Sequence, residues 1–227
     1  MRAISKIRIG LLATALAAGA LASAPAIAQV AGSQLSLHGE LNRLGAKKIT
    51  GESRRMQLSH DEYRAVRKIE AALSVRNYQA AAAAIAAAEP VAFSNDAKFV
   101  VAALKLQLGA ETHNVPLQDQ AIEAALASGV ASREQAIELY RLQGRSGLRV
   151  KDYARAEAAL SKYVQLAPKD PEAYVLLAET KSQAGKPAEA LSLLEQAIMI
   201  KTNARQRVPA KWMNAKAVLA AKASAGS

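Results

Sequence analysis

Three arginines stand four residues apart near the middle of the chain, at Arg141, Arg145 and Arg149. On an α-helix this spacing places the side chains on one stripe. A guanidinium group can donate two parallel hydrogen bonds to a carboxylate, so the stripe could hold an acidic segment or a C-terminal carboxylate. The alternative is a solvated basic face whose arginines pair with Glu138 and Asp152. The sequence leaves both interpretations open.

The other chemically active residue types form no catalytic or metal-binding pattern. The chain has no cysteine, and its three histidines share no metal-ligand spacing. These histidines are His38, His60 and His113. His60, Asp61 and Glu62 could contribute to a surface metal site, but together with Ser59 they fit a capping box at a helix start. Consecutive residues cannot converge on one reacting atom as a catalytic triad does, and phosphate-loop, dinucleotide-binding and nucleophile-elbow motifs are absent. We therefore expect a non-catalytic protein without a cofactor or a resident metal.

The composition favours a core that is distributed along the chain. Of the 227 residues 51% are hydrophobic, yet only 4% are aromatic, and alanine supplies much of the apolar content. Small side chains let helices approach closely but bury little area each, which suits an elongated stack of helix pairs. The formal net charge is +11. A basic chain attracts phosphates, but the few aromatic residues do not alternate with lysine and arginine, so we expect no nucleic-acid binding.

The first 28 residues have the pattern of a secretory signal peptide. Basic residues begin the segment, an apolar run extends from Ile9 to Ala22, and a small-x-small pattern predicts cleavage between Ala28 and Gln29. The alternative is an uncleaved anchor, although the apolar run is shorter than the ~20 residues that a spanning helix needs. We therefore expect a periplasmic or secreted protein.

Residues 29–57 show no sustained periodicity and contain four glycines, which is typical of a flexible arm. This arm is basic, and its clustered positive charges are Lys47, Lys48, Arg54 and Arg55. Such a segment suits an anionic membrane surface, so membrane association is the alternative to a protein-binding function.

Beyond the arm, short amphipathic helices alternate with turn residues, most clearly in Asp170–Ile200. Gly185 lies at the turn between two helices, where a positive φ is needed, and Pro187 follows at a first-turn position. Upstream, cap residues predict helix starts at Ser59, Asn77, Asn95, Ser132 and Asp152. The helix that starts at Asn95 is predicted to end before Gly109, and the helix that starts at Ser132 is predicted to end at about Arg145. Pro116 opens another helix, and a last helix extends from about Pro209 to Ala223.

This pattern resembles the tetratricopeptide repeat, a helix–turn–helix unit of 34 residues. The residues that carry the resemblance in one unit are Tyr174, Leu177, Ala178, Gly185, Ala190, Leu194 and Ala197. The corresponding residues of the preceding unit are Tyr140, Gly144, Tyr153, Ala156, Leu160, Tyr163 and Pro168. Residues 58–130 resemble two degenerate units, residues 131–204 two clearer units, and residues 205–227 a capping helix and tail. The resemblance implies an all-α fold, a right-handed α-solenoid, similar to small exported bacterial proteins of this family.

The resemblance also implies a scaffold that binds a protein or peptide segment in a concave groove formed by the first helices of the pairs. Groove-facing positions in the two clearer units would be Glu138, Arg141, Arg145, Glu172, Val175, Glu179 and Ser182. The arginines among them would suit an acidic partner. Trp212 is either an exposed anchor at the end of the groove or the residue that packs the capping helix. The identity of the partner and the oligomeric state stay open.

Overall fold

The computed structural model describes residues 57–225. The predicted signal peptide and all but the last residue of the basic arm lie outside the described residues. Within this range the chain forms nine α-helices: α1 His60–Ser74, α2 Tyr78–Ala88, α3 Asn95–Glu111, α4 Val115–Ala127, α5 Arg133–Arg149, α6 Tyr153–Leu166, α7 Pro171–Gln183, α8 Pro187–Asn203 and α9 Ala210–Ala225. A single 3₁₀ turn, Glu89–Val91, follows α2. None of the described helices combines the length and apolarity that crossing a bilayer requires.

The helices begin where short polar side chains can replace the missing helical hydrogen bonds. In seven cases the residue before the helix accepts a backbone N–H of the first turn; these residues are Ser59, Asn77, Ser94, Asn114, Ser132, Asp152 and Asp170. Ser59 and Ser132 each form a complete capping box. Four of the five helix-start caps predicted upstream of Asp170 are therefore confirmed.

The predicted start of α3 is wrong by one residue. Ser94, not Asn95, caps α3, and its hydroxyl oxygen accepts the N–H of Ala97 at 3.0 Å. Both residue types are good caps, so local propensity does not distinguish them. A contact from another helix favours Ser94, because its own N–H donates to Oε1 of Glu62 in α1 at 2.8 Å.

Two predicted helix ends are also wrong, because the glycines there serve close packing. α3 continues through Gly109 to Glu111, and α5 continues through Gly144 and Gly147 to Arg149. A Cβ atom on Gly144 would lie 2.4 Å from Cγ of Leu160 in α6, so α5 and α6 can approach only where α5 lacks a side chain. The full length of α5 keeps Arg149 on the same helix as Arg141 and Arg145.

The turn inside each helix pair has one recurring geometry. The residue two positions beyond the first helix of each pair is left-handed, and these residues are Arg76, His113, Lys151 and Gly185. The N–H of the following residue donates back to the helix, as from Asn77 to the carbonyl of Ala72 and from Lys186 to the carbonyl of Lys181, both at 2.9 Å. Of these four residues, Gly185 is the one glycine, so the sequence clearly marks only the turn between α7 and α8. The recurrence identifies the degenerate pairs as the same structural unit.

The helices pack as sequential pairs, α1 with α2, α3 with α4, α5 with α6 and α7 with α8, and α9 packs on α8. Each pair also contacts the next, and the first helices lie side by side where α1 meets α3 and α5 meets α7. Apolar side chains form four separate clusters along the stack. The prediction of an all-α solenoid with a distributed core is confirmed.

Helix α9 caps the C-terminal end of the described stack. Trp212 is 7% exposed and belongs to an apolar cluster with Ala178 of α7 and Leu194 of α8. The ammonium group of Lys201 lies 5.9 Å from the centre of the indole ring. Of the two alternatives for Trp212, packing of the capping helix is therefore confirmed.

Candidate peptide-binding surface

The first helices of two consecutive pairs, α5 and α7, lie side by side and bring most of the predicted site residues together. We call this group the α5–α7 surface, and its residues are Glu138, Arg141 and Arg145 of α5 and Glu172, Glu179, Ser182 and Gln183 of α7. Both helices start at strong side-chain caps, Ser132 and Asp170, which fix where each helix begins.

Arg141 links the two helices through its guanidinium group. Its Nε donates to both carboxylate oxygens of Glu138 at 3.1 Å, and its Nη2 also contacts Glu138. Its Nη1 reaches Oε1 of Glu172 in α7 at 3.4 Å. The Arg141 and Glu138 side chains are each only 16% exposed, so solvent screens their attraction less than that of a surface pair. Arg141 is therefore held in place between two consecutive units.

The predicted pairing of the arginine stripe is confirmed for Glu138 but not for Asp152. The Asp152 carboxylate accepts the backbone N–H of Arg155 at 3.1 Å and caps α6. Arg145 is half-buried, whereas Arg149 at the end of α5 is exposed. The stripe therefore contains two partly enclosed arginines and one exposed arginine.

Glu179 is a buried carboxylate on α7, with 8% of its surface exposed. Its Oε1 accepts a hydrogen bond from Nε2 of Gln183 at 3.0 Å. Burial raises its pKa to about 7, although the positive charge of Arg145 and the hydrogen bond from Gln183 both act to lower it. The Glu179 carboxyl is therefore easier to protonate than an exposed glutamate.

Val175 does not belong to the open surface, and its predicted position there is corrected. The side chain is 3% exposed and lies in the cluster with Ala178, Leu194 and Trp212. Glu179 stands one helical turn beyond Val175 on the same side of α7, which places its carboxylate at the border of this core. Ser182, one position before Gln183, is half-buried.

Ion pairs between different helices were missed in the sequence because their partners do not lie on one helical stripe. Lys181 of α7 contacts Glu157 of α6 and Glu189 of α8, both at 2.6 Å. Arg155 of α6 contacts Asp119 and Glu123 of α4, both at 3.1 Å. Helical periodicity finds partners three or four positions away and cannot find these. The pairs with Glu157, Asp119 and Glu123 connect adjacent units, whereas the pair with Glu189 connects the two helices of one unit.

Two further features of the described residues concern metal binding and surface shape. Across residues 57–225, no group of three or more acidic, histidine or cysteine side chains could hold a metal ion. A surface depression of about 510 Å³ lies at the N-terminal ends of α5 and α7; its lining residues are Arg133, Ala167, Pro168, Lys169, Asp170 and Pro171. Ser59 and Glu62, two of the polar residues next to His60, form the capping box of α1.

Comparison with known proteins adds one match. The family described as Tetratricopeptide repeat matches residues 148–208, which contain α6, α7, α8 and the turn at Gly185. No curated protein and no solved structure matches the chain. The matched segment includes Glu179, but it begins after Arg141 and Arg145. Members of this family generally act as scaffolds for protein–protein interaction and are typically not catalytic. Over residues 148–208, this chain is similar to the tetratricopeptide repeat family.

Proposed function

We propose that this protein is a non-catalytic scaffold that binds an extended segment of another protein across the α5–α7 surface. The observation that carries the proposal is Arg141, which is held between Glu138 of its own unit and Glu172 of the next. A guanidinium group held in this way loses little rotational freedom when it binds a further partner, so more of the interaction energy remains for affinity.

The arginines of the surface favour a partner segment that contains carboxylate groups. Arg141 and Arg145 supply the donors, and a guanidinium has five N–H groups, so it can contact more than one carboxylate. The three glutamates of the surface at least balance its two arginines, which disfavours indiscriminate binding of polyanions and favours a segment that matches the pattern.

Export is part of the proposal and rests on the pattern of residues 1–28. A signal peptide that is cleaved between Ala28 and Gln29 would place the scaffold in the periplasm or outside the cell. Association of the basic arm with an anionic membrane stays a prediction from Lys47, Lys48 and the two arginines that follow.

An array of overlapping peptides, drawn from proteins of the same extracytoplasmic compartment, tests the proposed surface. We expect the full chain to bind a subset of these peptides and the double variant Arg141→Glu, Arg145→Glu to lose that subset. Arg64→Glu with Arg67→Glu on α1 is a matched control, because these arginines are 60% and 62% exposed and lie three residues apart. Far-UV circular dichroism checks that both variants keep their helices. Binding that survives the α5 variant, or that both variants lose equally, contradicts the proposal.

A further inference from the structure

Two aromatic side chains are exposed at the N-terminal end of the stack, where the described part of the chain begins. All the aromatic residues of the sequence lie within the described range, and only Tyr63 and Phe93 among them are exposed, by 55% and 79% of their surfaces. Each is the sequence neighbour of a residue in one contact, because Oε1 of Glu62 accepts the N–H of Ser94 at 2.8 Å. The two aromatic residues therefore lie at the same end of the first two units.

The neighbouring helix α2 extends this apolar character. It carries no charged residue from Tyr78 to Ala88, whereas every other described helix carries at least two. It packs against α1 and α3, and the 3₁₀ turn that follows it contacts α1. We call Tyr63, Phe93 and the exposed alanines of α2 the N-terminal apolar surface; these alanines are Ala80, Ala82, Ala83, Ala86 and Ala87. Exposed apolar surfaces formed by several residues are typical of contact sites.

The chain that lies outside the described residues joins the stack beside this surface. The backbone N–H of Gln57 donates to Oδ2 of Asp96 in the first turn of α3 at 2.9 Å. All four leucines of residues 29–56 fall within Leu35–Leu44, and they are Leu35, Leu37, Leu41 and Leu44. The spacing of the last three, four and then three residues, matches one face of an α-helix. An apolar stretch of the same chain therefore stands close in sequence to the exposed aromatic residues.

We propose that residues 35–44 dock on the N-terminal apolar surface of their own chain and cover Tyr63 and Phe93. The connection from Leu44 to Gln57 can span about 40 Å when it is extended. Helix α1, with 15 residues, is about 22 Å long, so the whole surface is within reach. A short tether gives the leucines an effective concentration of the order of millimolar. This favours the segment of the same chain over a second copy or another protein as the occupant.

Docking of the leucines would also fix the basic residues that follow them. Lys47, Lys48, Arg54 and Arg55 stand between Leu44 and Gln57. They would then belong to a loop that is attached to the stack at both ends, rather than to a free arm. The inference concerns the opposite end of the described stack from α9 and does not depend on the α5–α7 surface.

Paramagnetic broadening in NMR spectra of the full chain tests the docking. Because the chain has no cysteine, Asn42→Cys attaches a single nitroxide label between Leu41 and Leu44. We expect the amide signals of Glu62 and Ser94 to be lost in the labelled protein, whereas the signals of α9 stay. The further changes Tyr63→Ser and Phe93→Ser should restore the lost signals.

Val150→Ser with Met199→Ser is the matched control, because these apolar residues are 54% and 51% exposed and lie elsewhere on the stack. The labelled control should lose the same amide signals as the labelled protein without these changes. Far-UV circular dichroism checks that all variants keep their helices. Signals that persist in the labelled protein, or that stay lost after the changes at Tyr63 and Phe93, would overturn the inference.

Two further samples distinguish the possible occupants. In a mixture of spin-labelled chain without isotope and isotope-labelled chain without nitroxide, the Glu62 and Ser94 signals should persist. Their loss in this mixture would identify a second copy as the occupant and overturn the inference. A nitroxide at Ala15→Cys probes the apolar run of the first 28 residues. Loss of the two signals with this label but not with the label at position 42 would assign the surface to that run and likewise overturn the inference.

Discussion

Glu62 joins the starts of two helices from successive units, and its replacement tests whether the N-terminal units form one stack. Its side chain is 4% exposed. Oε2 accepts the N–H of Ser59 and Oε1 accepts the N–H of Ser94, both at 2.8 Å. Burial raises the pKa of this carboxyl, but the hydrogen bonds from Ser94 and Ser59 outweigh that effect and lower the pKa to about 2.

Glu62→Gln should destabilise the protein by about 2–3 kcal/mol at pH 7. The amide keeps one acceptor oxygen but turns an NH₂ group toward the second backbone N–H, so one hydrogen bond to a charged group is lost, at about 1.5–3 kcal/mol, and the other is weakened. The pH dependence follows from the lowered pKa. The contribution of Glu62 is complete above the unfolded value of 4.5 and is lost as pH falls from 4.5 through about 2. The difference between the two proteins should therefore shrink at low pH.

Urea unfolding of the full chain at pH 7 and pH 3, followed by circular dichroism, measures this difference. Hydrogen exchange should show the loss of protection concentrated in α1, α2 and the first turn of α3, since units of a stack are stabilised by their neighbours. Glu70→Gln on α1 is the control, because that side chain is 38% exposed and pairs with Arg67 on the same helix, so we expect a change within about 0.5 kcal/mol. The reasoning would be refuted if the free energies of unfolding of the two proteins differed by less than about 0.5 kcal/mol at pH 7, or if their difference were equal at both pH values.

Two further predictions concern the glycines and turns. Gly144→Ala should lower the free energy of unfolding by about 1–3 kcal/mol, because the new Cβ would lie 2.4 Å from Cγ of Leu160. In urea unfolding, the double variant with Leu160→Ala should lose less stability than the sum of the losses in the two single variants. An additive double variant would contradict this contact. At the recurring turn, Lys151→Gly should raise the free energy of unfolding by about 0.5–1 kcal/mol, since Lys151 has a φ of 61°. Gly185→Ala should lower it by about 1 kcal/mol, because φ is 77° there and no atom lies within 4 Å of the new methyl group. Changes of the opposite sign at these two positions would exclude backbone conformation as the cause.

Most of the fold could be predicted because the signals that specify helices are local. Caps at Ser59, Asn77 and Ser132 act within three residues, and the apolar stripes repeat within one or two turns. The errors occur where another helix decides the local structure. Ser94 caps α3 because Glu62 binds its N–H, and Gly144 stays helical because α6 packs against it. A residue pattern within one helix carries no information about either contact, because each contact involves a second helix.

The site was harder to predict than the fold because its charges are set by contacts across units. The spacing of Arg141 and Arg145 suggested a basic stripe along one helix. In the structure the partners of Arg141 come from its own helix and from the next unit, so the surface is a mixture of both charges. The burial of Val175 likewise depends on α8 and α9, which enter the same cluster.

A sequence signal for these contacts does exist, and it is the repeat length itself. Polar contacts between neighbouring units join residues 31 apart for Arg141 and Glu172 and 32 apart for Ser94 and Glu62. Stacking places each first helix beside the first helix of the next unit, so residues about one repeat apart become neighbours in space. Arg145 and Glu179 stand one 34-residue repeat apart. Opposite charges at this separation therefore identify pairs that couple two units.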